Sequence, residues 1–403
     1  MSQCRICKNK NIIKILELKD HALANSFLKK EDFISEKIYP LNIYFCKDCK
    51  MVQLGEIIPP KIMFSNYLYV SGTSDTMRKH FKEFAKDIEQ RISEFQNPLI
   101  IDVGSNDGTF LKEFQNFAVR ILGVDPSDIA KLAQKNGIET FNDFFNKETA
   151  QKIVDCKGKA KVILGANVFA HTPNLDSFME GVKILLDDDG IFVIEFPYLV
   201  NLLKGMEFDT MYHEHVFHFS IMPLMVLFKK FGFQIFEIKE KKVHGGSLRV
   251  FVKKDDGEIF ENVQKFIDLE MKMKLDKVET YITFAKKVKK IREDLKMMLT
   301  KMKLDGKKIV GYGAAAKAST LLSYYEIGSD ILDYIADKNT LKQDLYTPGT
   351  HIPVVSTKKI LETKPDYILI LAWNMADEII QQQKKFQDAG GKFIIPLPSP
   401  KII

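Results

Sequence analysis

Three histidines fall within six positions of the stretch MYHEHVFHF, Met211–Phe219, around Glu214 and behind Tyr212. Such a group could ligate a metal, move protons, or form a polar seam in a core. It is not the helical zinc-protease pattern, which needs His-Glu-x-x-His, because Phe217 stands where the second His would be. Histidine titrates near neutrality and accepts a proton there. A neighbouring carboxylate can orient an imidazole, and a tyrosine hydroxyl can donate to a developing oxyanion. Base, orienter and oxyanion donor are what removal of a proton beside a carbonyl requires. His171 follows the apolar run KVILGANVFA, at the carboxyl end of a strand, where doubly wound folds place their ligands.

Four of the five cysteines form two CxxC pairs, Cys4/Cys7 and Cys46/Cys49. Each loop aims two thiolates at one point, and two loops complete a tetrahedral zinc shell with no open position. This metal is therefore expected to be structural rather than catalytic. Cys156 has no partner of this kind and is expected to be a buried thiol.

A third candidate lies in IIDVGSNDGTFL, where Asp102, Gly104, Asn106, Asp107 and Gly108 sit between a strand and a helix. Glycines there let backbone approach a ligand, and a helix N-terminus offers unpaired N–H groups. Asp125 ends the following strand, 23 residues beyond Asp102, placed to take two ribose hydroxyls. The loop is D-x-G-x-x-x-G rather than G-x-G-x-x-G, and this combination resembles a class I S-adenosylmethionine methyltransferase. The resemblance puts Asp143 and Phe144 at the adenine and Asn167 at the methionine.

The elements that must position these groups alternate along the chain. A zinc module runs over 1–60, with Pro59-Pro60 as its exit. Strand and helix signals alternate over 61–256, implying a mostly parallel sheet covered on both faces. Residues 257–305 are helical and rich in Lys and Glu, reading as a linker. A second α/β unit spans 306–403 and opens with KKIVGYGAAAKAST. Hydrophobic residues make up 45% and charged residues 28% of the 403, with a net charge of +6. That is a globular balance, too mild for a nucleic-acid binder without a basic and aromatic patch. No apolar run approaches the ~18 residues of a membrane span, and the N-terminus does not read as a secretory signal. The expectation is a cytoplasmic monomer with no nucleic-acid or membrane partner.

Taken in order, the CxxC pairs, NYLYVSGTS, DVGSNDGTFL, NVFAH, FDTMYHEHVFHFS, HGGSLRVF and GYGAAAKASTLL resemble the sugar C-methyltransferases. These add a methyl branch to nucleotide-linked 4-keto deoxysugars, and the resemblance covers nearly the whole chain. It implies an N-terminal zinc-binding domain, a central class I methyltransferase domain and a Rossmann-like C-terminal domain, with the sugar nucleotide between the last two. Tyr69, His171, Tyr212, Glu214 and His215 match the family's active-site motifs. His215 corresponds to the base with Glu214 supporting it, and His213 and His218 have no assigned role. It further implies that Tyr212 or His171 holds an enolate while C3 attacks the methyl of S-adenosylmethionine. Lys317, with Tyr312 and Ser319 in the same loop, would meet the diphosphate, and Asp337 and Lys338 the ribose or base. His351 would lie in a loop over the nucleotide, and His244 would be a substrate contact or a turn residue. Other readings remain open: an O- or N-methyltransferase on a nucleotide sugar, a nicotinamide-dependent sugar oxidoreductase using the Gly311-x-Gly313 loop, or a non-catalytic sugar-nucleotide-binding protein.

Overall fold

The computed structural model describes residues 3–64, 72, 75–254 and 260–403, so Tyr69 lies outside the described residues. Its strands are numbered in chain order. In the N-terminal domain β1 (Ile12–Ala22), β2 (Ile38–Cys46) and β3 (Val52–Leu54) form an antiparallel sheet. The fourth strand comes from far along the chain. β9 (Phe217–His218) pairs with β3, Val52 opposite His218 and Gln53 opposite Phe217, and the Leu54 N–H donates to the Val216 carbonyl at 2.9 Å. The histidine stretch is thus stitched into the cysteine-bearing sheet.

The central sheet contains β4 (Leu99–Val103), β5 (Arg120–Val124), β6 (Thr140–Phe141), β7 (Ala160–Ala166), β8 (Leu186–Pro197), β10 (Phe233–Lys241) and β11 (Ser247–Lys254). Their order is β10-β11-β8-β7-β4-β5-β6, with β11 antiparallel to both neighbours and the rest parallel. That order with one reversed strand is the class I methyltransferase sheet. β4 is buried at all five positions, as a strand covered on both faces must be.

The C-terminal sheet has the order β14-β13-β12-β15-β16-β17, built from β12 (Ile309–Tyr312), β13 (Ile335–Asp337), β14 (Val354–Ser356), β15 (Tyr367–Ile370), β16 (Lys392–Ile395) and β17 (Lys401–Ile402). All but β17 run parallel, a Rossmann-like arrangement. Between the two α/β units the helix Val278–Leu304 buries Tyr281, Phe284, Val288, Ile291, Leu295, Leu299 and Met302 at spacings of three or four. It is more than a spacer: the Tyr281 ring lies 4.7 Å from Phe45 of β2.

A strap of the N-terminal domain, residues 24–36, crosses to the C-terminal domain. Leu28 bridges Tyr346, Phe33 stacks on His351 at 3.9 Å, and Glu36 accepts from His351 Nε2 at 2.7 Å and the Gly349 N–H at 2.8 Å.

Two expectations are corrected. Pro60 does not only end the zinc module; it opens the short helix Pro60–Phe64, since proline's fixed φ and missing N–H suit a first helical position. Cys156 is exposed, because the last turn of helix Lys147–Lys157 projects past the face carried by Thr149, Ala150 and Ile153.

Candidate active site

Before the histidine stretch, Phe208–Thr210 forms one 3-10 turn. That turn delivers the Thr210 carbonyl to His215, whose Nδ1–H donates to it at 2.7 Å. With Nδ1 protonated, the neutral imidazole keeps its lone pair on Nε2. The Tyr212 ring lies 4.1 Å from that of His215, and His171 stacks on it at 4.9 Å. Burial, then the imidazoles of His171, His218 and His244, hold His215 well below the ordinary histidine value. It is therefore neutral across the physiological range, the form a base needs. His171 is pushed down to about 4 by burial and by His244, and it too is neutral.

Glu214 bonds a different partner. Its Oε1 accepts from Asn25 Nδ2 at 2.7 Å, and burial pushes its carboxyl up to about 7 against Asn25 and Lys342. The imidazole is oriented by the Thr210 carbonyl, not by a carboxylate. Of the other two histidines, His213 Nε2–H donates to the Pro40 carbonyl at 3.2 Å, and His218 sits buried in β9.

At the carboxyl ends of β4, β5, β6 and β7 the cofactor candidates converge. Asp125 accepts the Asn106 N–H, the Ser127 N–H and the Ser127 hydroxyl. Asp102 is buried beside it, and burial followed by Asp125 raises its carboxyl well above the usual value. Gly104 and Gly108 adopt φ of 73° and 77°, conformations that favour glycine. Asp107 accepts from the Gly72 and Thr109 N–H groups, and Asp143 from Phe144 N–H and the Thr149 hydroxyl. Asn167, at φ 58°, donates its N–H to the Glu195 carbonyl while its side-chain Oδ1 is buried with no partner among the described residues. An orphaned acceptor, an acidic edge and left-handed loops fit a cationic ligand carrying hydroxyls and an amino acid head group. S-adenosylmethionine is such a ligand.

Across the seam, Tyr312 is buried in the C-terminal core, and Lys317 lies in the first turn of a helix with its ammonium bonded to Asn374 and 4.0 Å over the Trp373 ring. Trp373 Nε1–H donates to Asp209 at 2.7 Å. Asp209 is pushed up to about 6 and Glu207 to about 8, by burial first, with Lys317 opposing in both. Ser319 donates to the Ala24 carbonyl, and Asp337 accepts the Ala314 and Asn339 N–H groups, holding the glycine-alanine loop. Lys338 is exposed, His351 is engaged by the strap, and His244 stands at φ 53° in the turn before β11.

The four cysteine sulfurs lie within 4.8 Å of one another, with Cys4–Cys49 at 3.5 Å and Cys7–Cys46 at 3.6 Å. Tetrahedral zinc with ~2.3 Å bonds requires sulfurs about 3.8 Å apart, so the donor set fits. The two loops match: Lys8 N–H donates to Cys4 O and Lys50 N–H to Cys46 O, each lysine at left-handed φ.

Several residues of the site carry weaker signals in the sequence. Glu195 and Arg249 interrupt apolar strands, IFVIEFPYL and SLRVFV, and a charge inside such a run is a usable signal. Glu207 and Asp209 stand out in the same way in MEFDTMY. Asn25 and the Thr210 carbonyl carry no signal, because an asparagine in a loop or a main-chain oxygen is unremarkable by residue type.

Three family profiles match successive segments: a zinc binding domain over residues 4–64, a methyltransferase domain over 77–238 and a C-methyltransferase C-terminal domain over 242–398. The C-methyltransferase NovU of Streptomyces niveus is 33% identical over 407 residues, spanning 100% of this chain and 97% of its own. Among solved structures, a SAM-dependent methyltransferase from Anabaena variabilis is 20% identical, covering 43% of this chain and 84% of its own at TM-score 0.34. The magnesium protoporphyrin IX methyltransferase of Synechocystis, with bound SAH, is 14% identical over 44% and 83% at TM-score 0.34.

Proposed function

This chain belongs to the C-methyltransferase family, is an S-adenosylmethionine-dependent enzyme, and from that premise we propose that it methylates C3 of a nucleotide-linked 4-ketosugar through an enolate. The product would be a branched deoxysugar for a surface glycan. Membership sets aside the oxidoreductase and O- or N-methyltransferase readings. The domains divide as 1–60 (zinc-binding), 61–256 (methyltransferase), 257–305 (helical connection) and 306–403 (sugar nucleotide).

The observation that carries the reading is the preset imidazole of His215, with Nδ1 tied to Thr210 and its ring against Tyr212 and His171. A C4 ketone acidifies the C3 hydrogen, and His215 Nε2 takes that proton. The C3–H electron pair moves into the enolate, whose oxygen Tyr212 or His171 meets with a donor. S-adenosylmethionine, when bound, supplies a methyl group on a sulfonium centre, the electrophile the C3 carbon needs. Asp102, Asp125, Asp143 and Asn167 would hold it beside the sugar. Fixing both reactants in attack geometry is worth roughly 7–11 kcal/mol of the barrier. Lys317 and the glycine-alanine loop would receive the diphosphate at the start of helix Ala316–Tyr325, with Asp337, Lys338 and His351 on the nucleoside side. The zinc takes no part in the chemistry. No described helix is long and apolar enough to cross a membrane.

The test is a panel of nucleotide 4-ketosugars, with products read by mass spectrometry and C3–H exchange followed by NMR in deuterium oxide. The expected result is one methyl on C3 and exchange that disappears in His215→Ala. A methyl on oxygen or nitrogen, or full turnover by His215→Ala, would refute the assignment.

A further inference from the structure

Glu214 is approached by one residue from each of the other two domains. Asn25 of the strap donates to Oε1 at 2.7 Å. Lys342 of the C-terminal domain donates to the Ala314 carbonyl at 2.8 Å, in the glycine-alanine loop, and its ammonium is shared through space between Asp337, first, and the Glu214 carboxyl. Its ammonium lies 4.7 Å over the ring of Phe27, again a strap residue. Both Glu214 and Lys342 are buried. The imidazoles on either side of Glu214 are occupied elsewhere, His213 with Pro40 and His215 with Thr210. Glu214 Oε2 has no hydrogen-bond partner among the described residues.

We propose that Asn25 and Lys342 are positioning residues of the active site: Asn25 holds the Glu214 carboxylate with Oε2 left for a donor group of the substrate, and Lys342 ties the strap and the glycine-alanine loop together beside it. The catalytic centre is then complete only when the strap and the C-terminal domain are both docked on the methyltransferase domain. This rests on the reading of Glu214 as an active-site residue. The physical need is clear. A buried carboxyl is pushed toward its neutral form, and a protonated Glu214 offers the substrate a donor where an acceptor is wanted. One N–H bond and one nearby ammonium oppose that push, and the balance falls at about 7. Loss of either partner would raise it.

The experiment reads Glu214 directly, in the full-length protein without substrate. Its carboxyl C=O stretch is titrated by infrared difference spectroscopy against Glu214→Gln, beside thermal melts of each variant. Asn25→Ala and Lys342→Met should each move the midpoint upward. Asn25→Asp, nearly the same shape but a second acid against Oε1, should move it farther than Asn25→Ala. In methyl transfer to dTDP-4-keto-6-deoxyglucose, or to whichever panel sugar is turned over, Asn25→Ala should lower kcat about tenfold. The acid limb of its pH profile should move up in step, with the KM for S-adenosylmethionine unchanged. A packing role predicts the reverse order, with the near-isosteric Asp milder than Ala and no movement of the midpoint, and that result would overturn the proposal. Unchanged turnover by Glu214→Gln would instead remove the reading on which it stands. A dead Glu214→Gln beside a wild-type Asn25→Asp would remove the clamp alone. Should a position-25 variant fail to fold, the Lys342→Met midpoint decides in the same way.

Discussion

Arg249→Met is expected to cost the methyltransferase domain more than any surface ion pair could. The guanidinium is fully buried in β11, with Nε and Nη2 each 3.0 Å from Glu195 Oε2, Nη1 3.3 Å from Asp87, and its carbon 3.2 Å over the Phe84 ring. Glu195 is equally buried on the paired strand β8, and His80 Nε2–H donates to its other oxygen at 2.6 Å. Removing one partner of a buried pair strands the other charge, which costs about 3–5 kcal/mol. For a domain of this size that lowers Tm by roughly 6–20 °C. The loss should depend on pH with a definite sign. Burial raises the Glu195 carboxyl, but His80 and Arg249 outweigh it and leave the value below the ordinary one. Its contribution is therefore present above about pH 4.5 and is lost as pH falls through the depressed folded value. The Arg249→Met deficit should accordingly be largest near neutrality and shrink in acid, where Glu195 is protonated. Urea unfolding followed by circular dichroism at several pH values provides the assay. A paired Glu195→Leu/Arg249→Leu variant should lose less than the sum of the two single leucine variants, by at least ~1 kcal/mol. Strict additivity, a cost under ~1 kcal/mol for Arg249→Met, or a deficit that grows in acid would refute the reasoning. Because the Asn167 N–H hangs on the Glu195 carbonyl, calorimetry should also show weakened S-adenosylmethionine binding.

The remaining expectations concern the seams between domains. Stripping the zinc with a chelator, or Cys49→Ala, should abolish methyl transfer while S-adenosylmethionine binding persists, because β9 loses its partner strand and with it the placing of His215; metal analysis, calorimetry and turnover measured on one sample check this. Gly245→Ala should cost about 1–2 kcal/mol in strain and depress turnover, since φ is 83° and an added methyl would overlap the Glu207 carboxyl; a thermal melt beside a kinetic assay would show it. Trp373 is the chain's single tryptophan and donates to Asp209, so its fluorescence should titrate near pH 6, where burial has placed that carboxyl, and should lose the transition in Asp209→Asn. The folded value lies above the ordinary one, so the contribution of Asp209 to stability is present in acid and is lost as pH rises toward 6.

What could be read ahead of the structure was what residue type and spacing encode. The cysteine knuckles, the acidic strand ends with their glycine turns, and the alternation of apolar runs with helices are local patterns, and each formed as read. What escaped were relations between segments distant in the chain. Nothing in VFH says that Phe217–His218 will become an edge strand of the cysteine sheet, because two residues carry too little pattern to declare a strand. Residue type points to Glu214 as the orienter of His215, while the bond goes to the Thr210 carbonyl, a group every residue possesses. The acidic residues Glu195, Glu207, Asp209 and Glu214 are instructive in a different way. Charge in apolar surroundings is costly unless it is paired or put to use. Glu195 is paired through Arg249 and His80, within one domain, and its value falls. Glu207, Asp209 and Glu214 sit where domains meet, are only partly compensated, and their values rise to about 8, 6 and 7. These three under-paired carboxyls gather along the seam beside the neutral His215 imidazole, and the raised Asp102 lies at the cofactor loop; unsatisfied polarity is thus concentrated where a hydroxyl-rich substrate or the cofactor would supply the missing donors.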